Sequence, residues 1–511
     1  MTRQARTLKK AVTRLNDDWR SRKLPAREVV SQGCALRDRI DVSGLSSQDK
    51  AGLTIELLGA VAWSANDIGD RTTAQSVESW CHALHAAPGL SVHQHAQIDF
   101  QRAAAIRIQI GVHEDQTLLT DEELERVALE RWNQRERLRE ARVLYAQISK
   151  NEEVYLALRA GATDNLATTL VDSTRFVESV QWRWAATRIQ PDTPSTYLNL
   201  ASTCFGMIEH STGDSDPLRV IHDWALARAH RGQADIRYLS PNAVTLLDRF
   251  TPFGDTDPDD FEAQLNSAWT VETYENFIAA LGLSLNYSFA PMTTGHSQDT
   301  LATSPGLPSN VHRSAIHAIQ DAYAAARRVA YTAYTLDASD GERAAHFAMA
   351  QRSALDVLEK VAVATNEALN LGRKPRDVSY QSLWLPKDGT LPTGMIAAGA
   401  TARDVLPLSE LAYDLSGTLG LHSEMRELRN AATHRFVWVG QPDDKWVSAL
   451  PLDLRDLALA TIDTLITVRS AIVQWVFFMA QLEERAAGCS TATPSIAPVD
   501  ERHDHVSSDI S

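Results

Sequence analysis

Residues 28–250 and 311–486 repeat apolar side chains at helical spacing in Ala-rich runs, broken by short Gly, Asp or Pro turns, and strand patterns are nearly absent. A chain of this kind buries one stripe per helix against other helices, so it is expected to be all-α. At 511 residues it is long enough for two to four such units, and 44% hydrophobic with 23% charged residues excludes collagen-like and wholly disordered classes. The stretch from Ala471 to Ala480, AIVQWVFFMA, is apolar all round, which predicts a helix buried on every side and is half the length of a membrane span.

Charge divides the chain unevenly. The formal net charge is −15, which excludes a protein that coats nucleic acid over its whole surface. Residues 1–27 nevertheless carry nine Lys/Arg against Asp17 and Asp18, a basic arm that could touch RNA or simply be a solvated helix face. Residues 251–310 hold eight acidic residues and no Lys or Arg, which reads as an acidic connecting segment and excludes a phosphate groove there. Residues 487–511 lack apolar periodicity and are expected to be a disordered tail.

Four cysteines, Cys34, Cys81, Cys204 and Cys489, lie far apart with no C-x-x-C pair, and the first residues form no apolar signal region. A reducing cytoplasm is therefore expected, with no membrane and no disulfide framework. Cys81, His82, His85, His93 and His95 cluster in sequence, but Pro88-Gly89 interrupts them and ordinary packing is the expectation. Phosphate-loop, dinucleotide, nucleophile-elbow and H-E-x-x-H patterns are missing, so no cofactor is implied.

One internal period stands out within residues 28–250. Asn165-Leu166-Ala167 recurs as Asn199-Leu200-Ala201 after 34 residues, with Ala186 and Pro191 between them. The pattern resembles a tetratricopeptide repeat, which implies an N-terminal helix-pair solenoid whose concave face takes a protein partner or trigger.

The chemistry-bearing stretch is Leu421 to Phe436. Read as a helix at about 100° per residue, it places Leu421, Met425, Leu428, Ala432, Phe436 and Val439 on one face. The other side then carries Arg426, Arg429, Asn430, Thr433 and His434, and the helical reading continues through Val437–Val439. Two guanidiniums can grip phosphate oxygens, and an imidazole can exchange a proton with a ribose hydroxyl or a leaving oxygen without any metal.

Arg429-Asn430-x-x-x-His434 resembles the R-x4–6-H motif of the HEPN superfamily. LDVLEKVAVATNEALNLG (Leu355 to Gly372), VSYQSLW, AYDLSG and the apolar last helix follow in the order seen in a HEPN branch fused to N-terminal tetratricopeptide-type repeats. WTVETYENFIAALGLSLN and AYAAARRVAY are similar to that branch too, so the resemblance spans roughly residues 265–485. It implies a C-terminal HEPN-like helical bundle over residues 311–486 and a metal-independent endoribonuclease, often a toxin or an abortive-infection effector against phage. It also implies a homodimer whose cleft uses both motifs, with Arg429 and His434 catalytic and Asn430 supportive. Arg426, Thr433 and Arg435 stand beside the motif as RNA contacts. The alternative is a catalytically silent scaffold that binds protein or RNA.

Overall fold

The structure is a computed structural model describing residues 3–111, 120–210, 216–232, 247–248, 250–254, 260–263, 272–286, 298–301, 310–387, 389–416, 420–423, 425, 437–439 and 450–486. It is almost wholly helical, as the periodicity requires. The N-terminal half comprises α1 (Arg3–Arg20), α2 (Ala26–Asp41), α3 (Ser47–Asp67), α4 (Arg71–His85), α5 (Val92–Ile110), α6 (Asp121–Asn133), α7 (Arg135–Lys150), α8 (Leu156–Asp172), α9 (Phe176–Ile189), α10 (Pro194–His210) and α11 (Asp216–Arg231). Side-chain oxygens of Ser46, Asp70, Ser91 and Thr120 accept from backbone N–H groups at the starts of α3 to α6, and the last two complete capping boxes.

Helices close in sequence pack together: α2 with α3, α4 with α5, α7 with α8, α8 with α9, and α10 with α11. The 34-residue period maps onto this arrangement. Leu166 and Ala167 on α8, Ala186 on α9, and Leu200 and Ala201 on α10 are all buried. Asn199 donates to Asp164 at 2.7 Å, joining the two copies across their interface. The first basic segment is likewise helical. In α1, Ala5, Leu8, Val12 and Leu15 are buried against α2 and α3, within a core that reaches α5.

The C-terminal half comprises α12 (Tyr274–Ala280), α13 (Asn310–Thr335), α14 (Asp340–Ala368), α15 (Tyr380–Trp384), α16 (Thr393–Ala397), α17 (Ala402–Ser416) and α18 (Leu454–Ala486). Helix α18 packs on α13, α14 and α17. Its Trp475 donates to Thr365 of α14 at 2.9 Å, and Phe478 meets Trp384 of α15 edge to face. By length and hydropathy α18 is the one described helix able to cross a membrane, but 83% of its most apolar window is buried within this fold. That is the environment its all-round apolar pattern calls for.

One feature departs from the sequence reading. Val437–Val439, expected to continue the motif helix, is a strand (β1) that pairs in parallel with Leu450–Leu452 (β2). The last helix starts just after β2, at Leu454. The β-branched Val-Trp-Val run favours extended backbone once a partner strand is supplied.

The hydrophobic core does not stop between the halves. One cluster runs from Val177 and Trp184 on α9 through α10 and α11, takes in Phe277 and Leu285 of the acidic segment, and continues through α13, α14, α17 and α18. The acidic segment is pinned by its own charge: Asp299 accepts from Arg327 of α13 at 2.5 and 2.9 Å. Arg469 of α18 donates to the Ser284 and Asn286 carbonyls, and burial depresses its guanidinium to about 10.

Candidate functional site

The residues before the motif are held by two different parts of the fold. Gly420 passes so close to α17 that an added Cβ would lie 2.3 Å from the Asp414 carbonyl oxygen, so only glycine fits without backbone movement. The next N–H groups then dock on the same residue. His422 donates from its backbone to the Asp414 carbonyl at 2.9 Å, and Leu421 approaches the Asp414 carboxylate at 3.4 Å. The Leu421 side chain enters a cluster formed by α5, α7 and α8, including Ile148, Ala162 and Leu166. Met425 is buried too, so the first two members of the expected apolar face lie inside.

Asp414 belongs to a buried ionic lattice. Arg142 of α7 contacts Glu410 of α17 at 2.6 Å and Asp414 at 3.3 Å. Arg139, one turn earlier, forks onto Glu410 with its Nη2 at 2.7 Å and reaches the exposed Glu136 at 2.6 Å. Arg175, just before α9, pairs with Asp414 and grips Glu178 at 2.6 and 2.7 Å. The His422 ring closes the group, its Nε2 3.5 Å from Glu178.

Burial by itself would raise the Asp414 and Glu178 carboxyls. For Asp414 the Arg142 and Arg175 guanidiniums outweigh it, for Glu178 Arg175 and His422 do, and both are held below the usual carboxylate range. Burial would likewise lower Arg142, but Asp414 and Glu410 reverse the sign. Helix α17 is tied to the N-terminal half at its start as well. Glu125 of α6 accepts from the first backbone N–H groups of α17, at Ala402 (2.7 Å) and Arg403 (3.1 Å), a carboxylate placed where the helix dipole favours it.

The motif residues Arg429, Asn430 and His434, and the neighbours Arg426, Thr433 and Arg435, lie outside the described residues. What is described is both flanks: Leu421, His422, Ser423 and Met425 beside the lattice, and β1 beginning at Val437 beside α14. The histidine cluster near Cys81 resolves into packing. His85 contacts Asp99 at 2.7 Å and stacks on His95, while His93 meets Tyr155. Among the described residues no group of three His, Cys, Asp or Glu is arranged to hold a metal ion. Cys34, Cys81 and Cys204 are free thiols, and burial pushes the last two strongly up.

Sequence reasoning missed the lattice. Its pairings to α17 span more than 230 residues, although Arg139 and Arg142 at i, i+3 and Glu410 and Asp414 at i, i+4 are spacings that put like charges on one helix face.

The buried α17–α18 core packed on the N-terminal helices defines a class: an all-α protein with a C-terminal helical bundle. Residues 309–482 match the model of the LA2681-like HEPN family, so this region of the chain is a HEPN domain. No curated protein and no solved structure matches the chain.

Proposed function

We propose that the chain is a metal-independent endoribonuclease of HEPN type, acting in the cytoplasm as a toxin or abortive-infection effector controlled by its N-terminal helical repeats. The observation that carries this reading is the HEPN family match over residues 309–482, a range that contains Arg429-Asn430-x-x-x-His434.

The chemistry follows from those side chains. The ribose 2′-oxygen attacks phosphorus as its proton passes to an imidazole, and the bond from phosphorus to the 5′-oxygen breaks as that oxygen takes a proton. The products are a 2′,3′-cyclic phosphate and a free 5′-hydroxyl. Arg429 neutralises the charge that builds on the phosphoryl oxygens, and Asn430 orients the imidazole or the sugar. In a homodimer that brings two motifs into one cleft, one copy of His434 serves as base and the other as acid. Arg426, Thr433 and Arg435 hold the flanking RNA.

Purified protein is expected to cut single-stranded RNA in EDTA and leave 2′,3′-cyclic phosphate ends, with His434→Ala reducing the rate by at least a hundredfold. Equal cleavage by wild type and the variant would remove His434 from the reaction. A wild-type dimer that binds its partners without cutting any RNA would instead favour the silent scaffold.

A further inference from the structure

Helix α1 carries its charge in a way that its own stability does not explain. With Ala5, Leu8, Val12 and Leu15 buried on one side, Arg3, Arg6, Lys10 and Arg14 fall within an arc of about 80° on the opposite side and rise about 16 Å along the axis. All four are exposed, as are Arg20, Lys23 and Arg27 beyond them.

Three features of this stripe work against the helix. Arg6, Lys10 and Arg14 are like charges at successive i, i+4 spacings, which repel. Arg3 and Arg6 sit in the first turn, where the dipole favours acids and α1 has none. Carboxylates contribute little: exposed Arg14 meets half-buried Asp18 at 3.6 Å, and Lys9 meets Glu56 at 3.9 Å with both side chains exposed. Asp17 is the remaining acid of α1 and sits in its C-terminal turn.

Arginines elsewhere in the array are matched differently. Arg107 binds Asp172 at 2.9 Å, Arg137 binds Glu78 and Glu140 at 2.5 and 2.7 Å, and Arg126 binds Glu130 at 2.9 Å. The first turn of α14 carries the acids Asp340 and Glu342 that α1 lacks.

We propose that the outer face of α1 is an RNA-docking surface, separate from the HEPN domain, that holds the sugar-phosphate backbone without reading sequence. A strand rising 3.4 Å per nucleotide passes about five phosphates over the stripe, enough to neutralise it and relieve its internal repulsion. In a chain with net charge −15, this face is where a polyanion is attracted while the acidic body repels it, so RNA is held at one end. The choice of RNA over an acidic protein rests on the ribonuclease reading above.

The test uses the full chain and a labelled 2′-O-methylated single-stranded RNA, which has no free 2′-hydroxyl and cannot be cut by the proposed chemistry. In fluorescence anisotropy, Arg6→Gln/Lys10→Gln/Arg14→Gln is expected to weaken binding on the order of tenfold or more in 0.1 M salt. The slope of log affinity against log salt should become shallower by about 2, since three phosphate contacts are lost. Unchanged affinity and slope would overturn the proposal, and so would polyglutamate displacing the RNA as well as an unlabelled strand of equal charge. His434→Ala keeps this binding if the surface is separate from the HEPN domain. Because the readout is binding of an uncleavable strand, a wild type that cuts no RNA would defeat the ribonuclease reading and leave the docking result standing.

Discussion

Among the described residues, basic side chains gather in two contrasting places, the seam where α7 and α9 meet α17 and the outer face of α1, and the two treat their charge in opposite ways. At the seam Arg139, Arg142 and Arg175 are buried and face Glu410, Asp414 and Glu178 at close range. On α1 the cations are exposed and face mainly one another. A buried guanidinium without its carboxylate is severely penalised, so the seam's charges hold the two halves in one relative position. An exposed guanidinium is solvated with or without a partner, so the α1 stripe adds almost nothing to the fold and remains available for a ligand.

The contrast is sharpest in what a single substitution does. Asp414→Ala leaves Arg142 and Arg175 buried without their shared counter-ion, and the expected cost is about 3–5 kcal/mol, read from urea unfolding. A loss below about 1 kcal/mol would mean that water reaches the seam and that the comparison with α1 fails.

A smaller effect is expected from acid. Asp414 and Glu178 are held below the ordinary carboxylate range, so their folded forms bind protons less readily than the unfolded chain does. Their contribution to stability is complete above the unfolded values, about 3.9 for Asp and 4.3 for Glu, and is lost as the pH falls through the lower folded values. Urea midpoints measured between pH 5 and pH 3 should fall more steeply for wild type than for Asp414→Asn. Parallel curves would show that the lattice does not set the acid limb.

The smallest effect belongs to α1. Arg6→Gln/Lys10→Gln/Arg14→Gln is expected to leave stability within about 0.5 kcal/mol of wild type, or to raise it slightly as the i, i+4 repulsions disappear. A loss above about 1.5 kcal/mol would show that the stripe supports the fold, erasing the difference between the two places.

Much of the helical architecture was legible from local pattern. The all-round apolar run of α18, the stripe on α14 from Phe347 to Ala368, buried as far as Val361 and half-buried at Ala368, and the burial of Leu421 and Met425 follow from periodicity, because a helix face is specified by residues three and four apart. The 34-residue period from Asn165 to Asn199 likewise falls on two helices, α8 and α10, which Asn199 joins through Asp164. Pairings set at long range were not legible. Strand β1 exists because Leu450–Leu452 lies beside it, and three residues at the end of a helical pattern carry no such information. Arg175 reads as a surface residue between two helices until Asp414 is brought to it by the fold. The motif at Arg429 and His434 was legible as chemistry, and it lies outside the described residues.

The two flanks of the motif stretch answer to different parts of the molecule. Its upstream end is seated at Leu421 among α5, α7 and α8, while downstream Val437 is paired through β2 to the chain that enters α18. The described residues on either side of the motif are therefore anchored to both halves of the chain, so loosening Leu421 and unpairing β1 from β2 are two separate ways to release them.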